Sequence, residues 1–191
     1  MRRARAVHSV FRLVVAVSAA TSLTSASPAD ARPQVTAGVT TGAALTDLRA
    51  EHSPRLAYHL GGRLELLFLR DGPRNMAIGP YVEALTEAFD TFESGGGFSW
   101  LVPTGAAGFV FSAGAFGRTS RYGAEPGIVG SIFWGSRSYN FHSTYAIGAG
   151  IVAQGRYGFG EGKQADVILG LQLDLEYLAL PFVFAYEAIA H

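Results

Sequence analysis

The 191-residue sequence contains no cysteine. A chain without thiols forms no disulfide, binds no metal through thiolate ligands and has no thiol nucleophile. It also lacks the N-terminal cysteine on which a bacterial lipoprotein carries its lipid. Thiol catalysis, thiol-based redox chemistry and lipoprotein anchoring are therefore excluded.

Charge is scarce and balanced. Charged residues make up 16% of the chain, and the 15 basic residues equal the 15 acidic ones, whereas about 25% is usual in a soluble domain. A neutral chain gives no reason to expect a nucleic-acid partner. No stretch approaches the roughly 20 apolar residues of a membrane-spanning helix. The apolar residues, 49% of the chain, are instead distributed over short segments.

The N-terminal stretch has the layout of an export signal. Three arginines within residues 1–5 precede a short apolar segment at 13–20, and small and polar residues then lead to Ala29-Asp30-Ala31. A positive start, a short apolar middle and an A-x-A end are typical of a secretory signal peptide. An uncleaved anchor would need a longer apolar segment. We predict a signal peptide at 1–31 and a single mature domain at 32–191.

An alternating stretch from Asp166 to Ala179 indicates the fold class. Every second residue from Val167 onward is apolar, and the residues between them include Asp166, Asp174 and Glu176. Successive side chains of a strand point to opposite faces, so the stretch predicts a strand with one apolar and one polar face. In a helix the same apolar residues would lie on every side.

Most of seven earlier segments repeat this alternation, while the sixth is ambiguous because Ile132-Phe133-Trp134 puts bulky side chains on both faces. Together the segments predict eight strands in one domain. The predicted strands are 33–45, 55–70, 76–86, 98–102, 107–118, 127–135, 144–159 and 166–179. The main predicted connections are 47–54, 71–75, 87–95, 119–126, 136–142 and 160–163. Connections this short favour antiparallel neighbours. The glycine-rich pieces 95–97 and 158–162 lack the strand–helix setting of a nucleotide-binding loop and are interpreted as hairpin turns.

The two-faced strands predict a closed barrel in a membrane. Inside a bilayer every backbone amide needs a protein partner, and strands provide one only by closing on themselves. Tyr58 and Phe68 are ten residues apart on the second strand. That spacing spans roughly 26 Å along the membrane normal, close to a lipid-facing band of about 25 Å edged by aromatic rings. We expect an all-β fold: a single antiparallel up-and-down β-barrel of about eight strands, transmembrane, with the leucine face towards lipid.

The polar face would then fill the barrel. An eight-stranded barrel has an interior that side chains just fill, and a charge buried there is costly unless it is paired. We expect a packed ionic core without an open pore, in which Arg156 pairs with the nearby carboxylates of the last strand. The predicted interior polar network is His59, Arg63, Glu65, Glu83, Arg118, Gln154, Arg156, Gln172, Asp174 and Glu176. Inward glycines would make room for these groups: Gly79, Gly108, Gly114, Gly148, Gly150 and Gly170.

Strand pattern, size and export signal together resemble the small outer-membrane barrels of the OmpA/OmpX type, from Pro33 to Leu180. The resemblance implies the outer membrane of a Gram-negative bacterium. Its implied partners are outer-membrane lipid, lipopolysaccharide and the barrel-assembly machinery. The resemblance identifies an architecture only. We expect in addition a structural or interactive role in the envelope and no cofactor.

Catalysis is the weaker hypothesis. His142-Ser143 is faintly similar to the lipid A 3-O-deacylases, whose nucleophilic serine lies two residues after its histidine. Adjacent residues of a strand point apart, so the pair lacks the geometry of a nucleophile and its base. His59 is interpreted as a proton-handling group or a satisfied interior residue. The five histidines have no metal-ligand spacing, and we expect a non-enzymatic protein.

A secreted soluble barrel that holds an apolar ligand, as lipocalins do, is the main alternative. Such a carrier would place its leucines inside and Arg63, Glu65 and Arg156 in water. The direction of the two faces therefore discriminates between the carrier and the membrane barrel.

Overall fold

The computed structural model describes residues 33–48, 53–138, 146–160, 162–175 and 177. The strands are β1 (Gln34–Thr46), β2 (Arg55–Leu67), β3 (Ala77–Glu87), β4 (Thr91–Pro103), β5 (Gly108–Ser120), β6 (Gly123–Arg137), β7 (Gly148–Gly158) and β8 (Ala165–Asp174). Each strand pairs antiparallel with the next, and β8 closes the sheet against β1. The predicted all-β fold, a single closed antiparallel barrel of eight strands, is confirmed.

The barrel has two rims. One, here called the N-terminal rim, holds the start of β1 and the β2–β3, β4–β5 and β6–β7 links. The hairpin rim carries the other four links, of which β3–β4 spans only residues 88–90 and β5–β6 only 121–122. Ala88 and Phe89 turn the first of these with φ of 49° and 60°. Gly123 follows the second with φ of 102°, a conformation that costs glycine little.

Two predicted connections are wrong. β4 begins at Thr91 and β6 at Gly123, so the expected loops at 87–95 and 119–126 shrink to 88–90 and 121–122. The sequence predicts both segments as loops. They belong to strands instead, because Glu93 and Glu125 point into the polar lumen.

The predicted hairpin turn at 95–97 is also wrong, because these three glycines lie inside β4. Gly97 pairs with Tyr81 on one side and with Gly114 on the other. A Cβ atom added to Gly114 would lie 2.7 Å from the Tyr81 hydroxyl oxygen. The glycines therefore provide the space into which the buried Tyr81 ring extends.

The last strand is shorter than predicted. β8 ends at Asp174, and the backbone of Leu175 and Tyr177 is helical. β8 pairs with β1 only from Gly38 onward. Before that point the backbone N–H of Ala146 donates to Val35 O (2.9 Å), so residues preceding β7 occupy the place beside the start of β1.

The apolar face of the strands points outward. Each strand presents at least one large apolar side chain with a relative exposure of 38% or more. Within the eight described strands, no outward-facing position carries a charge. Every charged strand residue occupies an inward-facing position: Arg55, Arg63, Glu65, Glu83, Glu87, Glu93, Arg118, Glu125, Arg137, Arg156, Asp166 and Asp174. This is the orientation that the alternation predicts, and the reverse of the one a soluble carrier requires.

The inner face also holds two apolar clusters. The larger lies near the N-terminal rim and is formed by five buried residues: Leu67, Ala77, Leu101, Val110 and Phe133. The smaller lies near the hairpin rim and is formed by Ala44, Ala57 and Ile168. Ionic groups fill much of the remaining lumen.

Candidate functional site in the barrel lumen

Arginine and glutamate side chains form a chain of ion pairs through the lumen, which begins near the N-terminal rim. Arg137 pairs with Glu65 at 3.4 Å, and Arg63 contacts both Glu65 at 3.2 Å and Glu83 at 3.6 Å. The same Arg63 guanidinium donates to Ser99 Oγ (2.8 Å) and Ser112 Oγ (2.6 Å). All these groups are buried. Their hydrogen bonds satisfy charges that would otherwise be costly inside a barrel.

The series continues towards the hairpin rim through Arg156 and Arg118. Arg156 donates to Glu83 and, through Nη1, to Glu93 Oε2 (2.6 Å). The other Glu93 oxygen accepts from Arg118 Nε at 2.6 Å. Arg118 also pairs with Asp166 and, at 3.4 Å, with Glu125. The ion pairs thus form one connected network that links strands on opposite sides of the lumen.

Aromatic rings separate the guanidinium groups. The Arg63 guanidinium carbon lies 3.7 Å from the centre of the Tyr81 ring. The Phe116 ring has Arg118 at 5.1 Å and Arg156 at 5.4 Å from its centre. Cations are attracted to ring faces, most strongly where water is excluded. These rings therefore stabilise the arginines while filling lumen volume.

The remaining predicted network residues are also inward, with one outside the described chain. Gln154 accepts from Arg156 Nε at 3.2 Å. His59 is fully buried, with Nε2 3.1 Å from Thr40 Oγ1. Gln172 and Asp174 are buried, and Asp174 accepts from the backbone N–H of Gly148. Glu176 lies outside the described residues.

The prediction that Arg156 pairs with carboxylates of the last strand is wrong for Asp166 and Asp174, the two that the structure describes. In the β7–β8 register Arg156 faces Asp166, whereas Asp174 lies near the N-terminal rim. The Arg156 side chain extends across the lumen to Glu83 and Glu93. Strand register, which the alternation alone does not specify, decides this choice.

Sequence analysis missed several members of the network. Glu93 and Glu125 fell in segments predicted as loops. Arg137 lay in a predicted connection, and Asp166, although inward in phase, was not included in the predicted network. Their signal is the continuation of the two-residue period, for example Thr91, Glu93 and Gly95 on one face. Glycine and proline on the other face, such as Gly96 and Pro126, obscured it.

The buried charges do not balance. Eight buried carboxylates face the lumen or its mouth: Asp47, Glu65, Glu83, Glu87, Glu93, Glu125, Asp166 and Asp174. Five buried guanidiniums accompany them: Arg63, Arg70, Arg118, Arg137 and Arg156. Three more acids than bases are thus buried among the described residues. The surplus is greatest towards the hairpin rim.

The hairpin rim is tied together by polar contacts around Asp47. Arg121 donates to Asp47 Oδ2 at 3.0 Å, and Gln164 Nε2 donates to Oδ1 at 2.8 Å. The Asp47 backbone N–H donates to Asp166 Oδ1 at 3.1 Å. Ser120 Oγ donates to Gln164 Oε1 at 3.0 Å. Three hairpin links are joined by these bonds, which cover part of the mouth above the ionic network.

The His142-Ser143 pair lies outside the described residues. Within the described part of the chain, no helix is long and apolar enough to cross a membrane. No family model matches the chain, and no curated protein or solved structure matches it either. The conclusions about function therefore depend on the barrel itself.

Proposed function

We propose that this protein is a non-enzymatic outer-membrane β-barrel with a structural or interactive role in the cell envelope of a Gram-negative bacterium. The observation that carries the proposal is the segregation of charge: the strands present no charge outward and all their charges inward. A water-soluble barrel has no reason to expose leucine and bury arginine, because the hydrophobic effect drives the opposite arrangement. A barrel in lipid does, since its solvent is apolar.

Strand length and aromatic positions support the same proposal. The eight strands have 10 to 15 residues, and a tilted strand needs about 9–11 to cross a bilayer. Exposed aromatic side chains lie near both rims: Tyr58, Phe89, Phe92 and Phe159 at the hairpin rim, and Phe68, Trp100, Phe111 and Trp134 at the N-terminal rim. Girdles of this kind mark the two interfaces of membrane barrels.

The filled lumen favours a structural or interactive role over transport. Arg63, Arg118 and Arg156 extend across the interior and bind acids on other strands. Such an ion-paired and ring-packed interior is typical of small barrels whose lumen is filled by side chains, in contrast to the aqueous channel of larger porins. Outer-membrane lipid and lipopolysaccharide are the proposed contacts of the outer face. The barrel-assembly machinery is the proposed insertion partner, reached after export directed by residues 1–31.

Cell fractionation tests the location. We expect the protein in the outer-membrane fraction, retained after an alkaline carbonate wash and released only by detergent. A folded barrel should also migrate faster on a gel before boiling than after it. Recovery of the folded protein in buffer without detergent would overturn the proposal.

Two assays test the role. In planar bilayers, the purified protein should give no steady conductance. In cells, Ser143→Ala should leave the acyl composition of lipid A identical to that of cells with the unaltered protein, since no catalytic part is proposed for His142-Ser143. A loss of deacylated lipid A in the variant would assign the protein to the deacylases instead.

A further inference from the structure

Three acidic side chains converge in the lumen close to the hairpin rim. Glu87 is the last residue of β3, Glu93 lies near the start of β4, and Asp166 lies near the start of β8. One carboxylate oxygen from each lies within 4.8 Å of the others. Ca²⁺ binds oxygen ligands at about 2.3–2.6 Å, so oxygens on opposite sides of the ion are separated by about 5 Å. Mg²⁺ has shorter bonds of about 2.0–2.1 Å, demands near-ideal octahedral geometry and usually keeps several of its waters, so a group of three protein carboxylates suits Ca²⁺ better.

An independent observation is that one carboxylate oxygen of Glu87 has no hydrogen-bond donor among the described residues. Glu87 is 1% exposed, and its Oε1 atom has no hydrogen-bond donor among the described residues. His59 is the register partner of Glu87 on β2, and its Nδ1 atom also lacks a partner within the described chain. Buried polar groups in native proteins are nearly always satisfied. An unpartnered carboxylate oxygen inside an acidic cluster therefore points to a bound cation.

The surplus of negative charge around the cluster also favours a bound cation. Around the cluster, the four carboxylates of Glu87, Glu93, Glu125 and Asp166 are accompanied by two buried guanidiniums in the described chain, those of Arg118 and Arg156, and Arg156 is shared with Glu83. Uncompensated negative charge is costly in a lumen that excludes water. We propose that Glu87, Glu93 and Asp166 bind one divalent cation of the size of Ca²⁺.

The existing ion pairs are compatible with such an ion. A carboxylate oxygen has two lone pairs, so Glu93 and Asp166 can accept from Arg118 and still ligate a cation. Water supplies the remaining ligands, as is common at calcium sites. Because Glu87 and Glu93 flank the β3–β4 link and Asp166 lies on β8, the ion would join strands across the lumen beneath the Asp47 contacts.

Calorimetric titration of the folded, chelator-treated protein with CaCl₂ alone tests the proposal. We expect one Ca²⁺ per chain, weaker binding of Mg²⁺, and a melting temperature that rises with Ca²⁺ concentration. Glu87→Gln should weaken Ca²⁺ binding at least tenfold. The matched control is Glu65→Gln, which removes an equally buried carboxylate from the other half of the network and should retain wild-type affinity.

Either of two results would overturn the proposal. If the unaltered protein binds no Ca²⁺, Glu87 holds a proton instead of sharing a metal. If Glu87→Gln binds as tightly as Glu65→Gln, the ion lies elsewhere. The measurement on the unaltered protein decides the matter even if a variant fails to fold. It is also independent of the fractionation result, because the site depends on the lumen and not on the surrounding solvent.

Discussion

The two ends of the lumen are filled by different mixtures of side chains. Near the N-terminal rim, Leu101 and Phe133 belong to the larger apolar cluster, which shares that part of the lumen with the ion pairs of Arg63 and Arg137 to Glu65. Near the hairpin rim, Arg118 and Arg156 are surrounded by carboxylates. Apolar side chains need only matching shape, whereas each buried ion needs specific partners. The comparison implies that the hairpin end is more sensitive to loss of a single group and more responsive to ions and pH.

The largest loss of stability is expected from a substitution in the ionic network near the hairpin rim. Arg118→Ala leaves Glu93, Glu125 and Asp166 without a shared cation. Removing one member of a buried ion pair costs about 3–5 kcal/mol, so the free energy of unfolding should fall by about 4 kcal/mol. Urea titration of the folded barrel measures it.

The exposed pair Arg55–Asp90 provides the matched control for that substitution. Its atoms are 2.7 Å apart and partly solvated, so Arg55→Ala should cost less than about 1 kcal/mol. Equal losses in the two variants would show that the buried network adds no more than a surface ion pair.

A substitution in the apolar cluster near the N-terminal rim should lower the free energy of unfolding somewhat less. Leu101 is 1% exposed, and Leu101→Ala removes its packing and leaves a cavity. Such changes cost about 2–5 kcal/mol, and we expect about 3 kcal/mol in the same urea assay. Leu101→Met conserves volume and should cost under about 1.5 kcal/mol. A small loss in the alanine variant would mean that this end is loosely packed.

A charged side chain on the outer face should lower the free energy of unfolding more, the deeper it lies in the bilayer. Val82 is the central residue of β3 and points outward. If the barrel lies in lipid, Val82→Arg should cost about 2 kcal/mol or more, whereas Leu56→Arg, close to the hairpin rim, should cost under about 1 kcal/mol. Unfolding in lipid vesicles gives both values. The same small cost at both positions would contradict burial of the outer face in a bilayer.

The smallest change in stability is expected from protonation of Asp90, at the hairpin rim, as the pH falls. The Arg55 guanidinium donates to both oxygens of Asp90 and lowers the pKa of that carboxyl group. A lowered folded-state pKa adds stability above the unfolded-state pKa, about 3.9, and this stability is lost as pH falls through the folded-state value. Asp90→Asn should remove this acid-dependent part, under about 1 kcal/mol, from an unfolding series at falling pH. An unchanged pH profile would show that the contact is too solvated to matter.

Much of the fold could be predicted because alternation is a local property. β2, β5 and β7 were placed closely, since bulky outward residues such as Leu64, Phe111 and Ile151 alternate with inward polar or small ones. The start of β4 was missed because Gly95, Gly96 and Gly97 have no side chains to show the alternation. A glycine gives no sign of its face, so the period is lost there although the strand continues.

Part of the membership of the ionic network could be predicted, but its pairs could not. His59, Arg63 and Arg118 were assigned to the interior from phase alone, and the structure places them there. The partners of Arg156 depend on which strands face each other across the lumen, and on the stagger between neighbours. Neither quantity is encoded within a single strand.

The sequence by itself determined that the chain forms two-faced strands and that charges share the inner face, because side-chain direction alternates with every residue. Only the tertiary structure decided that Arg156 contacts Glu83 and Glu93, and that Glu87 meets Glu93 and Asp166. Those contacts join residues from separate strands, and closure and register bring them together. A buried charge is stabilised by whichever partners that geometry supplies.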